Sequence, residues 1–222
     1  FGRDAHAWSD DMWRTYRSVY RHHMERADAQ IGLILNALRE IGLEEHTVVI
    51  FTSDHGEHDG AHRLTMKRSF YEESAHVPMI MAQPGRTPQG VVDSEHLVSN
   101  GLELYPTLCD YAGIDVPDGL QGRSVRPLAE GCTPEDWREC VVSETVGGRM
   151  VRGRRYKYAL YCYADIADEQ LFDMQRDPGE LDNLAVDPGM HEVLKAHRSI
   201  LAQWVRAQDD VKGQAYVQRV AD

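Results

Sequence analysis

The sequence predicts an α/β fold that carries a smaller antiparallel α+β part at its C-terminal end. Three observations lead there. A stretch with helical apolar spacing is followed by short β-branched runs that end in turns, the order expected of helices layered on a sheet. Residues 115–131 are rich in Gly and Pro and mark a boundary. Beyond it, short strand-like segments follow one another across glycine turns, as hairpins do. The predicted division is therefore 1–131 for the α/β part and 132–222 for an antiparallel sheet with a closing helix.

The elements can be taken in order. From Asp10 to Ile41 the chain reads as one or two helices, with Ile31, Ile34, Leu35 and Leu38 at helical spacing and Gly42 as a stop. That stripe is expected to pack into the core. Thr47 to Ser53 is almost continuously apolar and β-branched, the signature of a buried strand in a parallel sheet. Val77 to Ala82 is a second such run, stopped by Pro84 and Gly85. A short strand is expected around Leu97, then a helix from Leu102 to Tyr111 ended by Gly113. Past the boundary, Cys140–Val146, Arg149–Arg152 and Tyr156–Tyr163 read as strands, with Gln170–Phe172 as another and a helix over Met190–Ala207.

Composition narrows the function classes. Among 222 residues, 42% are hydrophobic and 27% charged, ordinary for a globular protein with a sizeable core. A formal net charge of −12 argues against nucleic acid and anionic membrane surfaces as partners. No run of apolar residues is long enough for a membrane-spanning helix. The cysteines at 109, 132, 140 and 162 form no C-x-x-C pair, which argues against a zinc ribbon or a redox dithiol.

The segment with most chemistry runs from Ser53 to Lys67, S-D-H-G-E-H-D-G-A-H-R-L-T-M-K. Asp54 and His55 stand at a strand end, where ligands of open α/β sheets bind. Together they offer one oxygen and one nitrogen to a divalent cation, a donor set that suits Ca²⁺, Mg²⁺ or Mn²⁺ in an oxygen-rich site. Gly56 permits a sharp turn just after them. Two ligands are too few, so others must come from outside these residues. Lys67 can bring an ammonium back to neutralise a sulfate or phosphate oxygen and the charge on a leaving group. His62 can contact substrate or orient Asp54. A rival reading takes His55, His58 and His62 as a zinc site, but His-Gly-Glu-His is not H-E-x-x-H and lacks the helical pairing.

The run F-T-S-D-H-G-E-H-D-G-A-H, followed by Lys67, Arg68 and Y-E-E-S-A-H-V-P-M-I, resembles the second signature region of the sulfatase family, within the alkaline phosphatase superfamily. Tyr20 to Leu38, Leu104-Tyr-Pro-Thr-Leu108, Gly122-Arg-Ser124, Tyr156-Lys-Tyr158 and Leu171 to Ala185 extend the likeness in the same order. The resemblance implies an alkaline-phosphatase-like sheet flanked by helices, present in part, plus the C-terminal subdomain. It implies that Asp54 and His55 bind the active-site cation, Ca²⁺ first with Mg²⁺ or Mn²⁺ as alternatives, and that Lys67 contacts sulfate. The family nucleophile is a formylglycine made from the first residue of C/S-x-P-x-R. Cys132-Thr-Pro134 has Asp136 in place of the Arg and follows the metal motif, so it reads as a boundary loop. The nucleophile is thus expected from an N-terminal half of the same enzyme, and these 222 residues alone are expected to be inactive.

The implied function is hydrolysis of a small-molecule or saccharide sulfate ester. The alternatives are a phosphonate monoester hydrolase or phosphodiesterase of the same superfamily, and a catalytically dead binding module. The basic run Arg149, Arg152, Arg154, Arg155 and Lys157 reads as a solvated strand edge, with a sulfated substrate as its other use.

Overall fold

The structure is a computed structural model that describes residues 5–164 and 166–220. It divides into two compact units. One holds the chain up to Asp93 together with Val98–Glu135; the other holds Ser94–Leu97 and the chain from Asp136 onward.

The first unit begins with α1 (Asp10–Glu40), a single helix of 31 residues. The Ser9 side chain caps it by accepting from the Met12 amide, and Asp10 and Asp11 stand against the positive end of the helix dipole. The stripe expected to enter the core does not. No residue of α1 is fully buried, and Ile34 is 68% exposed. Side-chain contacts of α1 with the loop after β1 come from Trp13, Tyr16 and Arg17, more than three turns before the stripe.

β1 (Val49–Thr52), α2 (Glu72–Ala75) and β2 (Met79–Ala82) follow. β1 and β2 pair antiparallel, from Val49 opposite Ala82 to Thr52 opposite Met79. The parallel pairing predicted for these runs is not found among the described residues. A parallel neighbour needs a crossover, usually a full helix, whereas only the single turn of α2 and loops connect these two strands. Nor are the strands fully buried: Phe51 and Ile80, opposite one another, are 40% and 57% exposed.

α3 (Asn100–Ala112) is ended by Gly113 in the left-handed region, as predicted. The buried Glu103 carboxylate accepts from the Ser99 amide at 2.7 Å and so satisfies a free N–H at the helix start. Thr107 donates to the Glu103 carbonyl and accepts from the Val125 amide, tying α3 to α4 (Arg126–Ala129).

In the second unit, β3 (Cys140–Thr145), β4 (Gly148–Gly153), β5 (Tyr156–Tyr163) and β6 (Ile166–Asp173) form an antiparallel sheet in that order. Consecutive order follows from tight turns, which force neighbouring strands to pair. The fourth strand is longer than predicted. Leu97 lies in no strand; its carbonyl accepts from the Trp137 indole at 2.8 Å. α5 (His191–Ala207) appears as predicted, and α6 (Val211–Val217) was not predicted. On β5, Tyr158, Leu160 and Cys162 alternate inward and pack with Leu201 and Val205 of α5 and Tyr216 of α6. No helix among the described residues is long and apolar enough to cross a membrane.

The basic run is solvated only in part: Arg154 is exposed, but Arg149 and Lys157 are buried. Arg149 is 5% exposed and grips Asp210 through two bonds of 2.6 and 2.9 Å. Arg155 binds Asp173 at 2.7 Å, and Lys157 meets Glu180 at 2.5 Å with both side chains 1% exposed. Each buried cation has an acidic partner supplied by a later segment of the chain, which pattern reading along one strand does not reveal.

Two outcomes are expected from these pairs. Replacing Lys157 by Met alone removes the ammonium that faces the buried Glu180 carboxylate, and should cost about 3–5 kcal/mol. Lys157→Met with Glu180→Leu should recover most of that loss. Urea unfolding of the two variants checks this, and equal losses would contradict it. The Arg149 hydrogen bonds hold the Asp210 carboxyl below its usual range. A depressed carboxylate stabilises the fold above its unfolded value, about 3.9, and that stability is lost as pH falls through the lower folded value. Asp210→Asn should therefore be less stable at neutral pH and should show a flatter acid limb in urea midpoints taken from neutral pH down to about pH 2.

Candidate active site

β1 ends at Thr52 and the next four residues turn out of the sheet. The turn is held at every step. Ser53 Oγ donates to the His55 carbonyl at 2.7 Å, and Asp54 Oδ1 accepts from the His55 amide at 3.0 Å. The Gly56 amide donates to the Ser74 carbonyl at 2.9 Å, which brings the turn against α2. A Cβ at position 56 would lie 1.9 Å from the Glu73 carbonyl oxygen, so only glycine fits. The Asn100 side-chain amide, at the start of α3, donates to the Ser53 carbonyl.

This turn sets the state of His55. Its Nδ1 lies 2.9 Å from the Gly56 carbonyl, which can only accept, so Nδ1 carries the ring proton. Nε2 then presents a lone pair. It faces Asp54 Oδ2 at 3.2 Å and the Lys67 ammonium, which is in contact with it. A neutral imidazole nitrogen and a carboxylate oxygen directed at one another repel unless a cation stands beside them. Lys67 supplies that cation here. The same pair, one oxygen and one nitrogen donor, suits a divalent ion. Asp54 is open to solvent, with its side chain 81% exposed, so further ligands can reach the point where the two donors meet.

The loop that brings Lys67 back is tightly bent. Asp59, His62, Arg63, Met66 and Arg68 all have positive φ, between 48° and 93°. Such a conformation costs a non-glycine residue on the order of 1 kcal/mol, so something must hold it. Glu57 Oε1 accepts from the Tyr16 hydroxyl and from the Met66 amide, both at 2.6 Å, and from the Asp59 amide at 3.4 Å. Burial, then the hydrogen bond to Glu57, pushes the Tyr16 phenol up to about 12. His58 is buried; its amide donates to the Met66 carbonyl at 3.0 Å and its Nε2 meets Ser69 Oγ at 2.9 Å. Burial lowers the His58 imidazole below the usual range, with the nearby Glu73 and Glu57 charges pulling the other way. Gly60, at φ 91°, sits against the Trp13 ring.

Of the residues singled out from sequence, the structure brings Asp54, His55 and Lys67 together. His62 lies elsewhere in the loop: its ring stacks on Tyr71 at 3.7 Å, and Nε2 is 3.7 Å from the Glu73 carboxylate. Among the described residues, His55, His58 and His62 do not converge as three ligands, which removes the zinc reading. Cys132 is exposed in the turn after α4. Glu57, Tyr16 and Asn100 were missed as site residues. Glu57 sits inside the motif, but no local signal says that a helix some forty residues earlier reaches it.

Comparison with known proteins shows the family of the chain. The family model "Sulfatase" matches residues 3–114, and the model "N-sulphoglucosamine sulphohydrolase, C-terminal" matches residues 60–207. A delta 4,5-hexuronate-2-O-sulfatase of Bacteroides thetaiotaomicron is 37% identical over 215 residues, covering 92% of this chain and 44% of the relative. Human arylsulfatase K is 36% identical, over 78% of this chain and 34% of the relative. The chain thus spans less than half the length of these curated relatives. Among solved structures, a 2-O GAG sulfatase superposes with a TM-score of 0.85 at 37% identity, over 94% of this chain and 46% of that one. The phosphonate monoester hydrolase of Agrobacterium radiobacter gives 0.77 at 30% identity, over 91% and 43%.

Gly56→Ala should destabilise the protein by about 1–3 kcal/mol, because the added methyl group meets backbone rather than a movable side chain. Urea unfolding checks this; an unchanged midpoint would mean that the turn does not run against α2.

Proposed function

Since the chain belongs to the sulfatase family, we propose that it supplies one half of a sulfuric ester hydrolase site, with Asp54 and His55 as ligands of a divalent cation and Lys67 as a contact of the sulfate group. The observation that carries this reading is the His55 lone pair facing the Asp54 carboxylate, with the Lys67 ammonium already drawn to them. Ca²⁺ is the first choice of ion because the family resemblance implies it and because Asp54 is open to solvent, which leaves room for further oxygen ligands. Mg²⁺ and Mn²⁺ are the alternatives.

When bound, the cation supplies positive charge beside the reacting group. The roles of this chain's own residues follow from their chemistry. The Gly56 carbonyl keeps the His55 proton on Nδ1 and leaves Nε2 free to ligate. The Asp54 carboxylate would be a negatively charged ligand of that ion. Lys67, whose ammonium reaches His55, would offer that ammonium to a sulfate oxygen, where it would offset the charge that develops as the ester bond breaks. His62, held by Tyr71 and Glu73 apart from the Asp54–His55–Lys67 group, is assigned a substrate contact on the strength of the motif alone. The nucleophile, a formylglycine, and the remaining ligands come from an N-terminal half of the same enzyme. The substrate is a sulfated saccharide; the names of the hexuronate-2-O-sulfatase and the 2-O GAG sulfatase support that class.

The test uses the full-length enzyme and 4-nitrophenyl sulfate. Lys67→Ala should lower kcat/KM by about 100- to 1,000-fold, the usual loss for one charge-stabilising donor, while the bound metal measured by plasma mass spectrometry stays at the wild-type level. Asp54→Asn and His55→Ala should lose the metal and the activity together. Retention of metal in both variants would contradict the ligand assignment. Faster turnover of a phenylphosphonate monoester than of the sulfate would favour the phosphonate monoester hydrolase reading.

A further inference from the structure

The Lys67 ammonium reaches His55 from a backbone that is unfavourable on both sides. Met66 has φ 67° and Arg68 has φ 93°. Neither is glycine, and neither conformation persists without a restraint. Met66 is restrained at both of its backbone polar groups. Its amide donates to Glu57 Oε1 at 2.6 Å and its carbonyl accepts from the His58 amide at 3.0 Å. The same Glu57 oxygen accepts the Tyr16 hydroxyl at 2.6 Å. A second tie, Arg17 to Asp59 at 3.2 Å, joins the helix to the other side of the loop. One carboxylate oxygen therefore links α1, the residue after the Asp54–His55–Gly56 turn, and the residue before Lys67.

We propose that Glu57 is a positioning residue for Lys67, and that Tyr16 on α1 fixes Glu57 in that role. The proposal rests on the reading of Lys67 as a sulfate contact. Hydrogen bonds to an ionised acceptor are roughly twice as strong as neutral ones, so a carboxylate at position 57 is the effective clamp for a strained amide. An alanine there releases the Met66 amide and the left-handed turn with it. The ammonium then leaves its place, although the Lys67 side chain is unchanged. Displacement by about 1 Å is enough to cost roughly 100-fold in rate.

The experiment is a double-mutant cycle in the full-length enzyme, read as kcat/KM for 4-nitrophenyl sulfate with the melting temperature of every variant. Glu57→Ala is expected to lose about 10- to 100-fold in the wild-type background. Glu57→Gln, whose amide oxygen accepts the same bonds, should recover most of the activity. In the Lys67→Ala background, Glu57→Ala should add less than about threefold, because its effect passes through the missing ammonium. A full, multiplicative loss in that background would overturn the proposal, as would wild-type activity of Glu57→Ala. If Lys67→Ala is itself fully active, the sulfate-contact reading fails and the proposal falls with it; an impaired Lys67→Ala with multiplicative losses sinks the Glu57 proposal alone. Should Glu57→Ala not accumulate as folded protein, Tyr16→Phe, which removes a single hydroxyl, takes its place in the same cycle under the same criteria.

Discussion

His55 presents a lone pair on Nε2 only while its ring proton stays on Nδ1, and the Gly56 carbonyl is what keeps it there. That carbonyl is aimed by a backbone turn lying so close to α2 that any side chain at position 56 would enter the Glu73 peptide. The geometry of the first unit serves this constraint. β1 delivers the turn, the Ser74 carbonyl and the Asn100 amide fasten it from outside, and Ser53 and Asp54 close it from within. The result is a pair of donors with no proton between them. Such a pair is held apart by repulsion and drawn together by a cation, so ligand geometry and affinity for positive charge are the same property here.

The loop after the turn solves a harder problem. It brings the Lys67 ammonium back to His55 across 12 positions of chain, with Asp59, His62, Arg63 and Met66 on the way and Arg68 just beyond in the left-handed region. Single strained residues of this kind survive where the surroundings over-determine them. Glu57, His58 and Ser69 do this with bonds across the base of the loop, and α1 with bonds and ring contacts from outside. The second unit is organised on a different principle. Its apolar core between β5 and the helices α5 and α6 is conventional, but Arg149 and Lys157 are drawn inward to acidic partners. Such buried pairs contribute little net stability against apolar substitutes, yet they penalise any packing that separates them.

Much of the second unit was legible in the sequence. Its strands alternate, its turns carry glycine, and hairpins pair neighbours, so local pattern is enough to order β3, β4, β5 and β6. The Asp54–His55–Lys67 association was legible too, through the resemblance of its motif. Less was legible where burial depends on distant chain. The α1 stripe has the periodicity of a core helix, but periodicity records which side is apolar and not whether anything covers it. The β1 run reads as a parallel strand by composition, and its antiparallel pairing follows from a connection too poor in helix to cross over. The basic run looked solvated because Asp210, Asp173 and Glu180 lie far from it in sequence.

The sequence by itself thus determined the family, the two structural styles of the chain, and the residue types that gather at the end of β1, because each is encoded in local spacing or in a contiguous motif. Tertiary structure decided the rest: the tautomer of His55, the need for glycine at 56, and the placing of His62 on Tyr71 rather than beside Asp54. It also decided that Tyr16 and Glu57 share one hydrogen bond across 41 positions of chain. These are matters of a few ångströms between groups remote in sequence, and distance in space is what a linear pattern does not record.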